Sequence, residues 1–223
     1  MKEEAEEKKH KDNDLETFTI PFSLGETKEI ITLISNNLPT YSKEEILNLA
    51  FSFHSQGNII EASKYYKLFI NQGYADPRVS SNYGTILKNL GKLKEAEKSY
   101  RKAIEMNPYL VEAYINLGNI LKDLGNLEES EKSYRKAILL KPDFANAHNN
   151  LGIILRDLGK LKEAEVSTRK AIELKPDFAS AYNNLGINQR DLGNIKEAEI
   201  STRKAIDLKP DFANAHFNLG SIL

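Results

Sequence analysis

Residues 145–178 of this chain read ANAHNNLGIILRDLGKLKEAEVSTRKAIELKPDF, and residues 179–212 read ASAYNNLGINQRDLGNIKEAEISTRKAIDLKPDF. The two stretches are identical at 26 of 34 positions. The same phase extends in both directions, so the units are 43–76, 77–110, 111–144, 145–178, 179–212 and a partial unit at 213–223. A fixed period of this size indicates a stacked repeat array. It overrides the one or two globular domains that the length of 223 residues alone would suggest.

Each unit has the pattern of two helices. In 111–144, apolar residues spaced three and four apart form one stripe: Tyr114, Leu117, Leu121 and Leu124. Gly125 and Asn126 interrupt the pattern, and Pro142 ends a second helical stretch. Small residues are expected where the two helices approach closely: Gly118, Ser130 and Ala137. We therefore predict an all-α chain built from helix pairs.

Residues with capping chemistry lie at the predicted helix starts. Ser42 and Glu45 have the spacing of a capping box at the beginning of the array. Asp76 offers a cap, and Pro77 follows it at the first helical position. Three aspartates are expected to cap later first helices in the same way: Asp143, Asp177 and Asp211.

The composition excludes several classes of protein. The chain is 40% hydrophobic, has a net charge of -1 and contains no Cys, so disulfides and Cys-ligated zinc are excluded. A near-neutral charge argues against a nucleic-acid partner. No apolar run approaches 18 residues, so we expect no membrane span. The N-terminus is acidic and polar, so we expect no signal peptide and a cytoplasmic protein.

The residues of the unit resemble the tetratricopeptide repeat. The resemblance rests on the 34-residue period, a recurring Leu-Gly pair, a mid-unit Gly, an Ala in each second helix and a terminal Pro, and it covers 43–223. It implies an α-solenoid, in which antiparallel helix pairs stack into a right-handed superhelix with the first helices on the concave face. It also implies that a peptide or protein binds there. Thr168 and Thr202 depart from the family pattern because they replace a second-helix aromatic residue, and Gln189 replaces an apolar one.

Position six of every unit is asparagine: Asn48, Asn82, Asn116, Asn150, Asn184 and Asn218. By resemblance this position faces the concave groove. An asparagine amide has two donors and one acceptor, so it can pair with the backbone of an extended peptide regardless of the peptide's sequence. A similar asparagine ladder lines the repeats of O-linked N-acetylglucosamine transferases. The alternative is that each asparagine bonds a neighbouring helix and is only structural.

Variable and charged positions flank the asparagines. Position twelve forms a cationic row: Lys88, Lys122, Arg156 and Arg190. Position thirteen forms an anionic row beside it: Asp123, Asp157 and Asp191. The two rows are expected to neutralise each other, which suits a mixed polar peptide better than a phosphate backbone. Positions five and nine vary between units, so they are candidates for selectivity, with Asn119 among them.

The first forty residues differ from the array. Residues 1–16 hold four Lys and seven Asp or Glu, so we expect a disordered charged tail within 1–27. Its apolar motif, from Phe18 to Phe22, is either a docking segment or a linker. Residues 28–42 are a linker or a capping helix over the first unit, since the open end of a solenoid needs a cover.

We find no pattern typical of catalysis or of a metal or cofactor site. His148 and His216 occupy the same repeat position, where packing is expected, and a whole unit separates them. Gly91-Lys92 and Gly159-Lys160 do not have the spacing of a phosphate loop. We therefore expect no enzyme active site, no metal and no cofactor.

Two functions remain open at this point. The first is a non-enzymatic scaffold that holds an extended peptide or partner protein along the concave groove. The second is the substrate-recruiting front of a larger glycosyl-, sulfo- or methyltransferase, because the sequence stops at Leu223 inside a first helix. The open C-terminal edge also suggests self-association.

Overall fold

The computed structural model describes residues 41–223, and its helices lie in one compact unit, Ser42–Leu223. The expectations for residues 1–40 lie outside the described part. The described residues form eleven α-helices and no strand, confirming the all-α prediction. The helices are α1 (Lys43–Ser55), α2 (Ile59–Asn71), α3 (Pro77–Asn89), α4 (Leu93–Met106), α5 (Val111–Asp123), α6 (Leu127–Leu140), α7 (Ala145–Asp157), α8 (Leu161–Leu174), α9 (Ala179–Asp191), α10 (Ile195–Leu208) and α11 (Ala213–Gly220).

The helices pack as an α-solenoid. The two helices of each complete unit contact each other, and the second helix contacts the first helix of the next unit. First helices also touch one another directly, as in α3–α5, α7–α9 and α9–α11. The core is therefore a series of local contacts along the array, the arrangement expected of a repeat protein.

A tight turn joins the two helices of a unit. After α5, Gly125 adopts φ 81°, a left-handed conformation that suits a residue without a Cβ. Its amide donates to the carbonyl oxygen of Lys122 at 2.9 Å, and the amide of Asn126 donates to the carbonyl oxygen of Leu121 at 2.8 Å. These two bonds form a Schellman motif, which satisfies the last carbonyl groups of the first helix.

The small residues allow the two helices to approach closely. A Cβ added to Gly118 would lie 2.9 Å from Cζ of Tyr134, a tyrosine that is 1% exposed. Ser130 is also buried, and its hydroxyl donates to the carbonyl oxygen of Gly118 at 2.7 Å. The predicted close approach in 111–144 is therefore confirmed.

The helix caps agree with the sequence at the start of the array and differ later. Ser42 and Glu45 form the capping box, and the Asp76 side chain accepts from the amide of Arg78 at 2.8 Å. The predicted aspartate caps are wrong. The N-cap residues of α7, α9 and α11 are phenylalanines without a capping side-chain hydrogen bond: Phe144, Phe178 and Phe212.

A turn replaces those aspartate caps. The amide of Phe144 donates to the carbonyl oxygen of Lys141 at 3.3 Å, which closes the turn one residue beyond Asp143. The Lys141 ammonium lies 5.0 Å from the centre of the Phe144 ring, a distance typical of a cation–π contact. The same lysine–phenylalanine contact recurs before α9 and α11. The Lys-Pro-Asp-Phe sequence thus builds the connection between units.

Candidate functional site

The predicted asparagines lie on successive first helices: Asn48 is exposed on α1, and the other five lie on α3 to α11. Asn82, Asn116, Asn150, Asn184 and Asn218 are all half-buried. We call these five residues the asparagine row. The asparagines occupy the same position of each first helix, and first helices contact one another in α3–α5, α7–α9 and α9–α11, so the row follows the first helices along the array.

Three of these amides use part of their bonding capacity inside the array. Nδ2 of Asn82 donates to the Tyr66 hydroxyl at 3.1 Å. Nδ2 of Asn184 donates to Oδ1 of Asn149 at 2.9 Å, and Asn218 donates to Asn183 in the same way at 2.8 Å. These three asparagines therefore do link neighbouring units, as the structural alternative holds. Each of these amides still keeps one N–H and its carbonyl oxygen for another partner.

Second-helix tyrosines supply hydroxyl groups to this face in the earlier units. The Tyr100 hydroxyl lies 3.0 Å from Oγ1 of Thr85, and the Tyr134 hydroxyl donates to Oδ1 of Asn119 at 2.7 Å. Burial raises the pKa of Tyr66 and of Tyr100 to about 12 and also raises that of Tyr134. These hydroxyls consequently stay protonated and neutral at any physiological pH.

In the fourth and fifth units a different side chain bonds the asparagine row. Thr168 and Thr202 occupy the tyrosine position and are fully buried, but a threonine is too short to reach the face. Asn149 and Asn183 at position five accept the inter-unit bond instead. Sequence reasoning missed this exchange, although a signal was present. The two position-five asparagines occur in the same units as the two threonines.

The two charged rows lie beside the asparagine row and pair with each other. Nη2 of Arg156 lies 3.0 Å from Oδ1 of Asp157, and Arg190 lies at the same distance from Asp191. The Lys122 ammonium lies 4.0 Å from the Asp123 carboxylate. The expected neutralisation is therefore present in three units. In the second unit Lys88 is followed by Asn89 rather than by an acid, so its charge has no such neighbour.

His148 and His216 each make a specific polar contact. Nε2 of His148 lies 2.9 Å from the carbonyl oxygen of Pro142, and His216 makes the same contact with Pro210 at 2.8 Å. Their role is to hold the inter-unit turn. Within residues 41–223 no group of three or more acidic or histidine side chains is arranged to hold a metal ion. No helix among these residues is long and apolar enough to cross a membrane.

The stacked helix pairs and the asparagine face define a protein of the helical-repeat class. Models of the tetratricopeptide repeat match residues 84–125, 118–155, 145–178 and 179–212. The chain belongs to the tetratricopeptide repeat family, which confirms the resemblance inferred from the sequence.

Solved structures show the same fold. The MamA protein is 22% identical, with a TM-score of 0.68 over 77% of this chain and 93% of that chain. YrrB, described as a TPR protein with an unusual peptide-binding site, is 22% identical, with a TM-score of 0.71 over 79% of this chain and 91% of that one. A tetratricopeptide repeat protein from Parabacteroides merdae ATCC 43184 is 22% identical, with a TM-score of 0.72 over 81% and 72%. No curated protein sequence matches the chain.

Proposed function

We propose that this protein is an interaction scaffold that binds an extended peptide segment of a partner protein along its asparagine row. The observation that carries the proposal is the spare bonding capacity of the row. Within residues 41–223, Asn82, Asn184 and Asn218 each retain one N–H donor and the carbonyl oxygen after their inter-unit bond, and the asparagine recurs in every unit. Such groups suit a peptide backbone, whose own donors and acceptors also recur regularly.

The residues around the row indicate what kind of peptide fits. Ile153 and Ile187 are half-buried at position nine, between the asparagines and the charged rows. The charged rows are already paired within their own helices, so they offer a polar border with little net charge. A segment of low net charge with an aliphatic side chain facing these isoleucines fits this surface best. The peptide-binding site named for YrrB agrees with such a role, although that site belongs to YrrB.

The first experiment selects peptides for the full chain from a random peptide display library. The affinity of one selected peptide is then measured by calorimetry, together with its competition against the other selected peptides. We expect the selected sequences to have low net charge. The triple variant Asn116→Ala, Asn150→Ala and Asn184→Ala should weaken binding at least tenfold, because each lost hydrogen bond contributes about 0.5–1.5 kcal/mol.

The structure supplies sharper variants for the same measurement. Asn116 makes no side-chain hydrogen bond to another described residue, so Asn116→Ala tests binding without removing an inter-unit bond. Asn126→Ala with Asn194→Ala is the matched control, because both asparagines are exposed on inter-helix turns. Unchanged peptide affinity in a triple variant that keeps its helical circular dichroism spectrum would contradict the proposal.

A further inference from the structure

The fifth unit, 179–212, has polar side chains in its core where the earlier units have apolar ones. Positions ten and eleven are Ile and Leu in units two to four: Ile86, Leu87, Ile120, Leu121, Ile154 and Leu155. In the fifth unit they are Asn188 and Gln189. The substitutions are not on the surface, since Asn188 is 1% exposed and Gln189 is 2% exposed.

Asn188 is only partly satisfied in this buried place. Its Nδ2 donates to Oγ1 of Thr168 at 3.0 Å, and that hydroxyl donates to the carbonyl oxygen of Ala164 at 2.8 Å. Oδ1 of Asn188 is buried and has no hydrogen-bond partner among residues 41–223. A buried acceptor left unpaired destabilises the packed state relative to an open one, in which water reaches it.

Gln189 connects three helices through polar contacts. Its side-chain amide lies 2.7 Å from Oγ of Ser201, 2.9 Å from the carbonyl oxygen of Glu197 and 3.2 Å from Nη2 of Arg169. The orientation that satisfies all three contacts points its oxygen at the Arg169 guanidinium. Together with the Asn184–Asn149 bond, this leaves the contact of α9 with α7 and α8 rich in hydrogen bonds.

The preceding junctions are apolar. Tyr134, Leu151, Ile154, Leu155 and Ala164 form one buried cluster between units three and four. An equivalent cluster between units two and three includes Tyr100, Ile120 and Leu121. Between units four and five, Thr168 takes the place of the tyrosine, and Asn188 and Gln189 take the places of the isoleucine and leucine. In a repeat array each junction contributes its own free energy, so the array opens first at its weakest junction.

We infer that α9, α10 and α11 open together from α8 as one cooperative unit, while α3 to α8 stay packed. The buried polar residues of the fifth unit weaken the junction between α8 and α9, and the array opens at this junction. Opening exposes the Thr168 face of α8 and releases Asn184 from Asn149, so it also changes the last part of the asparagine face. This inference does not depend on the groove binding a peptide.

Hydrogen–deuterium exchange of the full chain, read by mass spectrometry at peptide resolution, tests the inference. We expect the amides of α9 and α10 to exchange with similar protection to each other, and at least tenfold faster than those of α7 and α8. If α9 is as well protected as α7, or if protection falls gradually from α7 to α11 without a step at α8, the inference is overturned.

A substitution distinguishes opening caused by the buried polar residues from ordinary fraying of the last helices. The double variant Asn188→Ile and Gln189→Leu restores the residues that units two to four use. It should slow exchange in α9 and α10 about tenfold or more and leave α3 to α6 unchanged. Ile200→Lys is the matched control, because Ile200 is 69% exposed in the same unit and units two and three have lysine at that position. If the control slows exchange as much as the double variant, or the double variant has no effect, the inference fails.

Discussion

In the second and third units, a glycine on the first helix and a tyrosine on the second determine how closely the two helices approach. In the third unit the Tyr134 ring lies directly against Gly118, and its hydroxyl continues past the glycine to reach Asn119. The glycine therefore has two effects. It permits the close helix contact, and it lets a buried aromatic residue present a polar group on the asparagine face.

At this scale we predict the effect of Gly118→Ala. The added methyl group would lie 2.9 Å from the ring, and overpacking of this kind costs about 1–3 kcal/mol. Alanine has a higher helix propensity than glycine, which stabilises the helix by about 1 kcal/mol. We therefore expect a net loss of about 1 kcal/mol in the free energy of unfolding. Chemical denaturation measures it. Gly220→Ala is the control, since nothing lies within 4 Å of its added Cβ, and it should be neutral or stabilising.

Among the helices, the second helices are connected across units by ion pairs. Arg135 contacts Glu131 on its own helix at 2.8 Å and Glu163 on α8 at 2.7 Å. Glu131 also binds Lys160 at 2.7 Å, and its side chain is only 11% exposed. The Arg135–Glu131 contact is an i,i+4 pair, but Glu131 differs from a simple surface charge because it is largely buried between two units.

We predict that Glu131→Gln lowers the free energy of unfolding by about 1–2 kcal/mol, because two cations lose their shared partner. Glu129→Gln should cost less than about 0.5 kcal/mol, since that carboxylate is 53% exposed and pairs with Arg101 at the surface. Equal losses for the two variants, measured by denaturation at pH 7, would show that burial of Glu131 has no energetic effect.

The pH dependence of the free energy of unfolding, compared between the original protein and Glu131→Gln, gives a second check. Burial alone would raise the pKa of Glu131, but the hydrogen bonds and charges of Lys160 and Arg135 outweigh it and hold the pKa below its usual range. A carboxyl group whose pKa is lowered by folding stabilises the fold above its unfolded pKa of about 4.3. We therefore expect the difference between the original protein and Glu131→Gln to be constant above about pH 5 and to shrink as the pH falls below 4. A difference that grows in acid would contradict this assignment.

For the whole molecule, the repeat period itself is testable. Deleting residues 145–178 removes one complete unit and brings Tyr134 of the third unit next to Asn184 of the fifth, a pairing like that of Tyr66 with Asn82. We expect this variant to fold with the same helical content per residue and a lower melting temperature, because stability accumulates unit by unit. Deleting only residues 145–161 leaves a second helix without its first helix and should disrupt folding. Circular dichroism during heating compares the two, and equal behaviour would contradict a modular array.

Much of the architecture is predictable from the chain because its signals are local. The recurrence of Leu-Gly, the turn at Gly125 and the small residues at Gly118 and Ser130 each act within one unit, so they predict the helix pairs correctly. The capping prediction at Asp143 failed because the start of α7 depends on a turn closed by Lys141 and Phe144. The preference of aspartate for N-cap positions takes no account of the contact between Lys141 and Phe144.

The sequence by itself determined the period, the two helices in each unit and the face that carries the asparagines, because helix periodicity assigns a face from spacing alone. Only the tertiary structure decided what those asparagines bond: Asn82 pairs with a tyrosine hydroxyl, whereas Asn184 pairs with another asparagine. It also showed that Asn188 is buried and that its Oδ1 has no hydrogen-bond partner in the described part of the chain. A hydrogen bond between units depends on differences of less than 1 Å in helix placement and on the length of the opposing side chain. Asn82 and Asn184 occupy the same position of the repeat, so the repeat pattern does not distinguish their hydrogen-bond partners.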